Sequence, residues 1–438
     1  MTDTKKLTRP RAISGFADYS EAQNIALASW LDVIVRAFRQ YGFSKLTPRP
    51  IELREVLLAQ GGIAKQIFGV SRLQDDGATD LALPFDRTVS LANWIAMKAG
   101  EIVFPYKRYD VGYSYRGERA QAGRFQGFIQ ADIDIVAQGG LDLHADAECI
   151  AVVCDALSRL DIGEFSVNLN HIRLARRLLV RLGVAEQNLA DALRVIDKLA
   201  KIGRQATLAE LATVLGGDAK IGESILDLLS YAGEPDGFQD AIGTDTEAMG
   251  YFDELKQTWL MLVDMGLDER SLSFQPGIVR GLDYYSGVVF ETFLNGFESF
   301  GSVASGGRYD DLVSTFSKLK LPGVGGSIGV TRLFDIACKK NLIELERKSQ
   351  ADVFVGFRTE ELASQARQIA ARLRGAGCCV DLYCAQASAK KQFSYAGRKN
   401  IPTLVMVMDP QAIVVRDMNT GQQVEVTTIE EACEKIGN

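Results

Sequence analysis

Three arginines fall within the nine residues Arg116-Gly-Glu-Arg-Ala-Gln-Ala-Gly-Arg124. A guanidinium stays charged at any physiological pH and pairs two-pronged with phosphate or carboxylate oxygens, so such a loop is either solvated or built to receive an anion. Three more segments combine chemistry with permissive backbone. Val279-Arg-Gly-Leu-Asp-Tyr-Tyr285 sets Arg280 ahead of paired tyrosines. Ala304-Ser-Gly-Gly-Arg-Tyr-Asp310 and Gly323-Val-Gly-Gly-Ser-Ile-Gly-Val-Thr-Arg332 carry glycines that permit close approach of a ligand or a tight turn, the second leading into a helix that bears Arg332. After the arginine loop, Phe128, Gln130, Asp132 and Asp134 alternate with Ile129, Ala131, Ile133 and Ile135. Period-two alternation gives a strand with two faces, and the polar one is either solvated or the floor of a polar pocket.

Scarcity narrows the chemistry. His144 and His171 are the only histidines, too few for a histidine metal cage or a histidine-centred triad, so catalysis should lean on arginine, carboxylates and backbone. His144 sits among Asp142, Asp146 and Glu148 and reads as a surface residue; His171 reads as a boundary residue. Seven cysteines without a CxxC spacing indicate neither a disulfide framework nor a zinc ribbon, and Cys378-Cys379 reads as core. A reducing cytoplasm, with no targeting segment, is the expectation. No apolar run approaches the ~18 residues of a membrane span.

The elements that must position these groups follow from patterning. Ile25, Leu27, Trp30, Leu31, Ile34, Val35 and Phe38 form a helical stripe that stops at Gly42. The alternation from Arg108 to Arg116 and from Phe128 onward predicts a hairpin with a long arginine-loaded connection. Residues 171–260, rich in Leu, Ala and Lys, read as a helical insertion, and strands return over 284–293. From 351 onward, strands at 353–356, 380–383 and 404–408 alternate with helices near 361–374 and 391–398, which predicts a small α/β domain with a largely parallel sheet. The 438 residues carry a net charge of −7, and because 351–438 is neutral, residues 1–350 hold all of it. Such a balance argues against a general polyanion binder and requires any nucleic acid to be met by local basic patches. Lys390, Lys391, Arg398 and Lys399, with Phe393 and Tyr395, form one such stretch, either a solvated helix face or a contact surface.

Taken together, the four segments resemble histidyl-tRNA synthetase, a class II aminoacyl-tRNA synthetase, along nearly the whole chain. The hexapeptide Arg280-Gly-Leu-Asp-Tyr-Tyr285, in this order with the others, makes the resemblance specific. It implies an α/β (α+β) fold: a class II antiparallel-sheet catalytic core (1–170 and 261–345), a helical insertion (171–260) and a C-terminal α/β anticodon-binding domain (351–438). It implies that histidine is joined to tRNA(His) through a histidyl-adenylate, with ATP and Mg²⁺ as substrate, no prosthetic group, and a homodimer in the cytoplasm.

By the same resemblance, Arg116 and Arg280 hold the α-phosphate, Arg332 the γ-phosphate, and Phe128 stacks on adenine with Glu118 near its edge, Arg124 completing the ATP set. Asp86, Thr88 and Gln130 take the ammonium and carboxylate of histidine; Asp134 and Tyr285, beside Tyr284, face its ring; and Lys390, Lys391, Arg398 and Lys399 meet tRNA. Pro84, Gln126, Ile129 and Thr331 depart from the usual pattern, which bears on how the hairpin meets the tRNA acceptor end. A rival reading from another class is a histidine-sensing paralogue such as the regulatory subunit of ATP phosphoribosyltransferase. That group generally lacks the terminal domain and loses catalytic arginines, whereas residues 351–438 and Arg116, Arg280 and Arg332 are all present here.

Overall fold

The computed structural model describes residues 8–59, 66–74, 79–119, 123–279, 284–385 and 387–437. The chain divides into two units, Met1–Ala17 with Leu31–Lys340 and Asp18–Trp30 with Asn341–Asn438. In chain order the strands of the first are β1 (Ser44–Lys45), β2 (Glu52–Leu53), β3 (Gly69–Val70), β4 (Leu81–Ala82), β5 (Tyr106–Tyr115), β6 (Gly127–Val136), β7 (Phe165–His171), β8 (Leu272–Phe274), β9 (Val288–Leu294), β10 (Ala304–Tyr309) and β11 (Gly323–Ile328). Eight of them form one sheet in the order β1-β5-β6-β11-β10-β9-β7-β8, parallel only at its two outer pairings. The remaining three make a small sheet, β2-β4-β3.

The predicted hairpin is β5 and β6, and its register decides what each face holds. Arg108 lies opposite Asp134, Asp110 opposite Asp132, and Gly112 opposite Gln130. On the other side of β6, Gly325 and Ser327 of β11 oppose Asp134 and Asp132. Directly opposed residues share a face, so these polar groups form one cluster. The other face carries Ala131, Ile133 and Ile135 and is covered by the helix Leu143–Ser158. A side chain on Gly326 would come within 2.9 Å of Val153 and 3.3 Å of Cys149, so glycine there lets helix and sheet close up. The polar face is not a solvent face: Arg108, Asp110, Asp132 and Asp134 are all buried.

Helices follow β7 as the composition indicates, from Ile172–Arg181 to Thr246–Asp264. Leu179, Ile196, Leu211, Ile225 and Leu226 give the earlier ones a core of their own. Thr246–Asp264 instead packs on Leu143–Ser158, burying Phe252 and Trp259. His171, expected at a boundary, is fully buried and caps Ile172–Arg181, its Nδ1 accepting the Leu174 amide at 3.4 Å while Nε2 meets Glu254 at 3.0 Å. His144 is exposed, as its neighbours suggest.

The second unit contains β12 (Val353–Phe357), β13 (Val380–Leu382), β14 (Thr403–Asp409), β15 (Ala412–Asp417) and β16 (Gln423–Val426), in the order β13-β12-β14-β15-β16. The sheet departs from the largely parallel expectation. β13, β12 and β14 are parallel, but β14 returns through Pro410-Gln411 into an antiparallel β15–β16 meander. Val353, Val355, Val405 and Val407 face the helices Ala363–Gly375 and Ile429–Gly437, while Phe354, Leu404 and Met406 face Ala389–Arg398, so both faces are covered. Of Cys378-Cys379, expected as core, Cys378 is partly buried against the core of Val353 and Val405 while Cys379 is exposed, because the chain is there entering the edge strand β13.

Candidate active site

A cavity of about 720 Å³ opens over the polar face of the large sheet. Asp86, Arg87 and Thr88 enter it from the turn between β4 and the helix Thr88–Lys98, whose Val89, Leu91, Ala92 and Ile95 anchor it in a buried apolar cluster. The Asp86 carboxylate accepts the Val89 amide (2.9 Å) through Oδ1 and the Tyr284 hydroxyl (3.0 Å) through Oδ2. Gln130 and Asp132 rise from β6, and Ser327 and Gly325 from β11; Gln130 donates to the Ser327 hydroxyl at 2.7 Å. Tyr285 and Tyr309 close one side.

The floor is a lattice of buried charges. Arg87 pairs with Asp110, donates to the Tyr113 carbonyl (3.1 Å) and stands 4.0 Å from Asp132. Its guanidinium occupies the space a side chain at position 112 would need, since a Cβ on Gly112 would come within 2.7 Å of it. Arg108, wholly inaccessible to solvent, lies 2.8 Å from Asp134, whose other oxygen accepts the Tyr309 hydroxyl at 2.7 Å. A Cβ on Gly325 would meet that oxygen at 2.4 Å, so the bare glycine is what separates Asp134 from the cavity. Burial disfavours the charged form of a carboxyl, and it raises the affinity of Asp86 and Asp132 for a proton despite their partners. For Asp134 burial outweighs Arg108 and Tyr309, and its pKa is pushed up to about 7. Burial likewise raises Tyr284 and Tyr285, which stay neutral donors at physiological pH.

The rim is cationic and aromatic. Arg116 lines the cavity, donates to the Phe85 carbonyl (3.1 Å) and sits 5.2 Å from the centre of the Phe128 ring. Glu118 lines it as well, with Arg124 3.7 Å away. Arg332 donates to the carbonyls of Gly123 (2.9 Å) and Ser302 (2.5 Å). Of the residues expected from the sequence, Asp86, Thr88, Arg116, Glu118, Gln130, Tyr284 and Tyr285 therefore line one cavity. Arg124, Phe128, Asp134 and Arg332 are not among its lining residues, and Arg280 lies outside the described residues. Arg87, Tyr309 and Ser327, and Arg176 and Arg194 from the helical segment, line it without having been assigned a role. Ser327 and Tyr309 could have been found by extending strand alternation through the glycine-rich segments. Nothing in the sequence near Arg176 or Arg194 signals it.

The second unit has a cavity of about 760 Å³ lined by Lys391, Arg398 and Lys399, joined by Lys348, Tyr383 and Tyr395. Lys390 is not on its wall, and Lys399 is held by Glu21 at 2.7 Å.

A family model described as histidyl-tRNA synthetase matches residues 15–333, and one described as anticodon binding domain matches 348–438. The chain belongs to the histidyl-tRNA synthetase family. It is 35% identical to the histidine–tRNA ligase of Thermobifida fusca (strain YX), over 96% of this chain and 98% of that one. The crystal structure of histidyl-tRNA synthetase from Nostoc sp. PCC 7120 superposes with a TM-score of 0.86 at 30% identity, over 98% and 99% of the two chains. A structure described as an ATP phosphoribosyltransferase regulatory subunit/histidyl-tRNA synthetase from Bacillus halodurans C has a TM-score of 0.75 at 21% identity, over 92% and 100%, a likeness of fold. The family is that of class II aminoacyl-tRNA synthetases, ligases that use ATP to join an amino acid to tRNA. The family model and the curated relatives named histidine–tRNA ligase favour this activity over that of a sensing paralogue. Among the described residues no helix is long and apolar enough to cross a membrane.

Proposed function

We propose that the cavity of the first unit activates L-histidine with ATP and transfers the histidyl group to tRNA(His), releasing AMP and pyrophosphate. The observation that carries this reading is the pairing of an acidic, hydrogen-bonding floor (Asp86, Gln130, Asp132) with a cationic rim at Arg116 in one cavity. A zwitterionic amino acid and a polyphosphate are the ligands such a pair suits.

Histidine's carboxylate is ionised at neutral pH and needs orientation, not a base. Asp86, Thr88 and Gln130 hold its amino and carboxylate groups. Tyr285 faces the imidazole, with Asp134 beneath it across Gly325. One carboxylate oxygen attacks the α-phosphorus, a new P–O bond forms, and the bond to the β-phosphate oxygen breaks with pyrophosphate leaving opposite. Arg116 and Arg280 take the charge that develops on the α-phosphate and Arg332 that on the γ-phosphate, while Phe128 and Glu118 receive adenine and Arg124 positions Glu118. Magnesium enters with the nucleotide as part of that substrate. The tRNA ribose hydroxyl then displaces AMP from the adenylate.

Residues 1–170 and 261–345 serve as the catalytic core and 171–260 as its insertion. Residues 351–438 read the anticodon, with Lys390, Lys391, Arg398 and Lys399 on phosphates. The enzyme works as a homodimer in the cytoplasm. Histidine-dependent exchange of pyrophosphate into ATP, followed by charging of total tRNA, tests the reading; exchange that ignores histidine overturns it.

A further inference from the structure

We infer that Asp132 is a further specificity-determining residue, taking the α-ammonium of the amino acid together with Asp86; the inference rests on the histidine-activating reading above. Four carboxylates, Asp86, Asp110, Asp132 and Asp134, are buried on this floor, and two guanidiniums, Arg87 and Arg108, are buried with them. Arg87 is engaged by Asp110 and Arg108 by Asp134. Both wall carboxylates, Asp86 and Asp132, are less firmly paired: Asp132 has Arg87 only at 4.0 Å, with that guanidinium already engaged by Asp110, and the charge of Asp132 raises the cost of ionising Asp86. The rim cation Arg116 is directed at the Phe85 carbonyl and the Phe128 ring.

The two wall carboxylates differ in what they have left to offer. Both oxygens of Asp86 already accept a hydrogen bond. Asp132 is only 4% exposed, yet its Oδ1 has no hydrogen-bond partner among the described residues. A buried carboxylate oxygen left unmatched is costly, and a ligand that supplies both a proton and a positive charge removes the cost. The ring of histidine offers a single N–H and no charge at neutral pH. The ammonium offers three N–H groups and a full charge, and Gln130, two residues along on the same face, is its neighbour in the proposed pose. The site thus favours a protonated amine, and an amino acid lacking one leaves the buried Asp132 Oδ1 without a charged donor.

Asp132→Asn keeps the shape and an acceptor and removes only the charge. Calorimetric binding of histidine, histidinol (ammonium kept, carboxylate replaced) and imidazole-lactate (ammonium replaced by hydroxyl) reads the effect. A hydrogen bond to a charged group is worth about 1.5–3 kcal/mol, so the variant should bind histidine and histidinol about 10- to 100-fold more weakly. Imidazole-lactate should change less than twofold, and that binding also reports an intact pocket. Asp134→Asn, deeper at the ring end, should weaken histidine and imidazole-lactate alike. Unchanged histidine affinity in Asp132→Asn, or an equal loss for all three ligands, overturns the inference while leaving the activation reading standing if the unaltered protein supports histidine-dependent exchange. Failure of the unaltered protein to bind histidine overturns both.

Discussion

The two cavities handle charge in opposite ways. In the first unit Arg108, Asp110, Asp132 and Asp134 are taken out of water at opposed strand positions, and Arg87 is buried against them from the turn before Thr88–Lys98, so Arg87 and Arg108 each depend on a specific carboxylate. In the second unit Lys391, Arg398 and Lys399 stand on one helix and its C-terminal cap, within reach of solvent. Low dielectric makes the first set strong, directional and intolerant of loss; solvent makes the second weak singly, additive and sensitive to salt. A site that must tell one small molecule from another needs the former, and a surface that meets a long polyanion can use the latter. Changes of decreasing severity test whether this contrast is real.

Breaking a buried pair should be worst. Arg108→Ala leaves Asp134 without its cation, and removal of one partner of such a pair typically costs about 3–5 kcal/mol. Denaturant unfolding should register a loss of that order, with histidine binding falling along with it. A variant as stable as the parent would mean that Asp134 is already protonated in the folded protein and that Arg108 has no charged partner on the floor.

At the rim, function should separate from stability. Arg116→Ala removes a cation that is partly exposed and contributes little packing, yet loss of one transition-state contact typically costs 10²–10³ in rate. Pyrophosphate exchange should fall by about that factor while the melting temperature stays within a degree or two. Parallel losses of exchange and stability would place Arg116 with the structural charges of the floor instead.

A smaller, pH-dependent effect should appear at His171. Burial lowers its proton affinity, opposed by the bond to Glu254 and aided by Arg173 and Arg308; Tyr251 stacks on it at 5.1 Å. Its Nδ1 must stay unprotonated to accept the Leu174 amide. With the folded value below the ordinary one of about 6.5, the neutral ring's contribution is complete above that pH and is lost as pH falls toward the folded value. Melting curves of the parent should therefore drop more steeply below about pH 6.5 than those of His171→Asn, which keeps a capping acceptor but does not titrate. Parallel curves would rule the ring out as the titrating group.

How much of this was legible in the sequence depended on whether the signal was local. The β5–β6 hairpin was readable because alternation is periodic, and its polar face was marked by Gln130, Asp132 and Asp134. That the face is buried was not readable, since burial comes from β10, β11 and the helix Thr88–Lys98, far away along the chain. The glycines of 304–307 and 323–326 looked like turn or ligand-approach residues; they lie in strands, where a side chain at 325 or 326 would collide with Asp134 or with the helix beneath. Arg87 was silent because its partner Asp110 and the gap at Gly112 are set by register, not by spacing. The meander after β14 was missed although Ile413, Val414 and Val415 are apolar, because the direction in which β15 and β16 pair is set by the tight return at Pro410-Gln411 and not by composition.

The weakest effects should come from the second unit. Deleting residues 351–438 is a poor test, because Asp18–Trp30 packs with that part of the chain and would lose its cover, so single substitutions are needed. Lys391→Ala and Arg398→Ala should each lower the salt slope of tRNA binding by about 0.7–0.9, the share of one phosphate contact. Lys399→Ala should do less, because its ammonium is already held by Glu21, and freeing that carboxylate adds a negative charge beside the cavity. Lys390→Ala, off the cavity wall, should do least of the four. None should alter pyrophosphate exchange measured without tRNA. Filter binding across a range of salt concentrations gives the slopes, and the order Lys391 and Arg398, then Lys399, then Lys390 is the discriminating result. Equal slopes for all four would mean that tRNA tracks the whole helix face as a diffuse charge and that this cavity has no part in holding it.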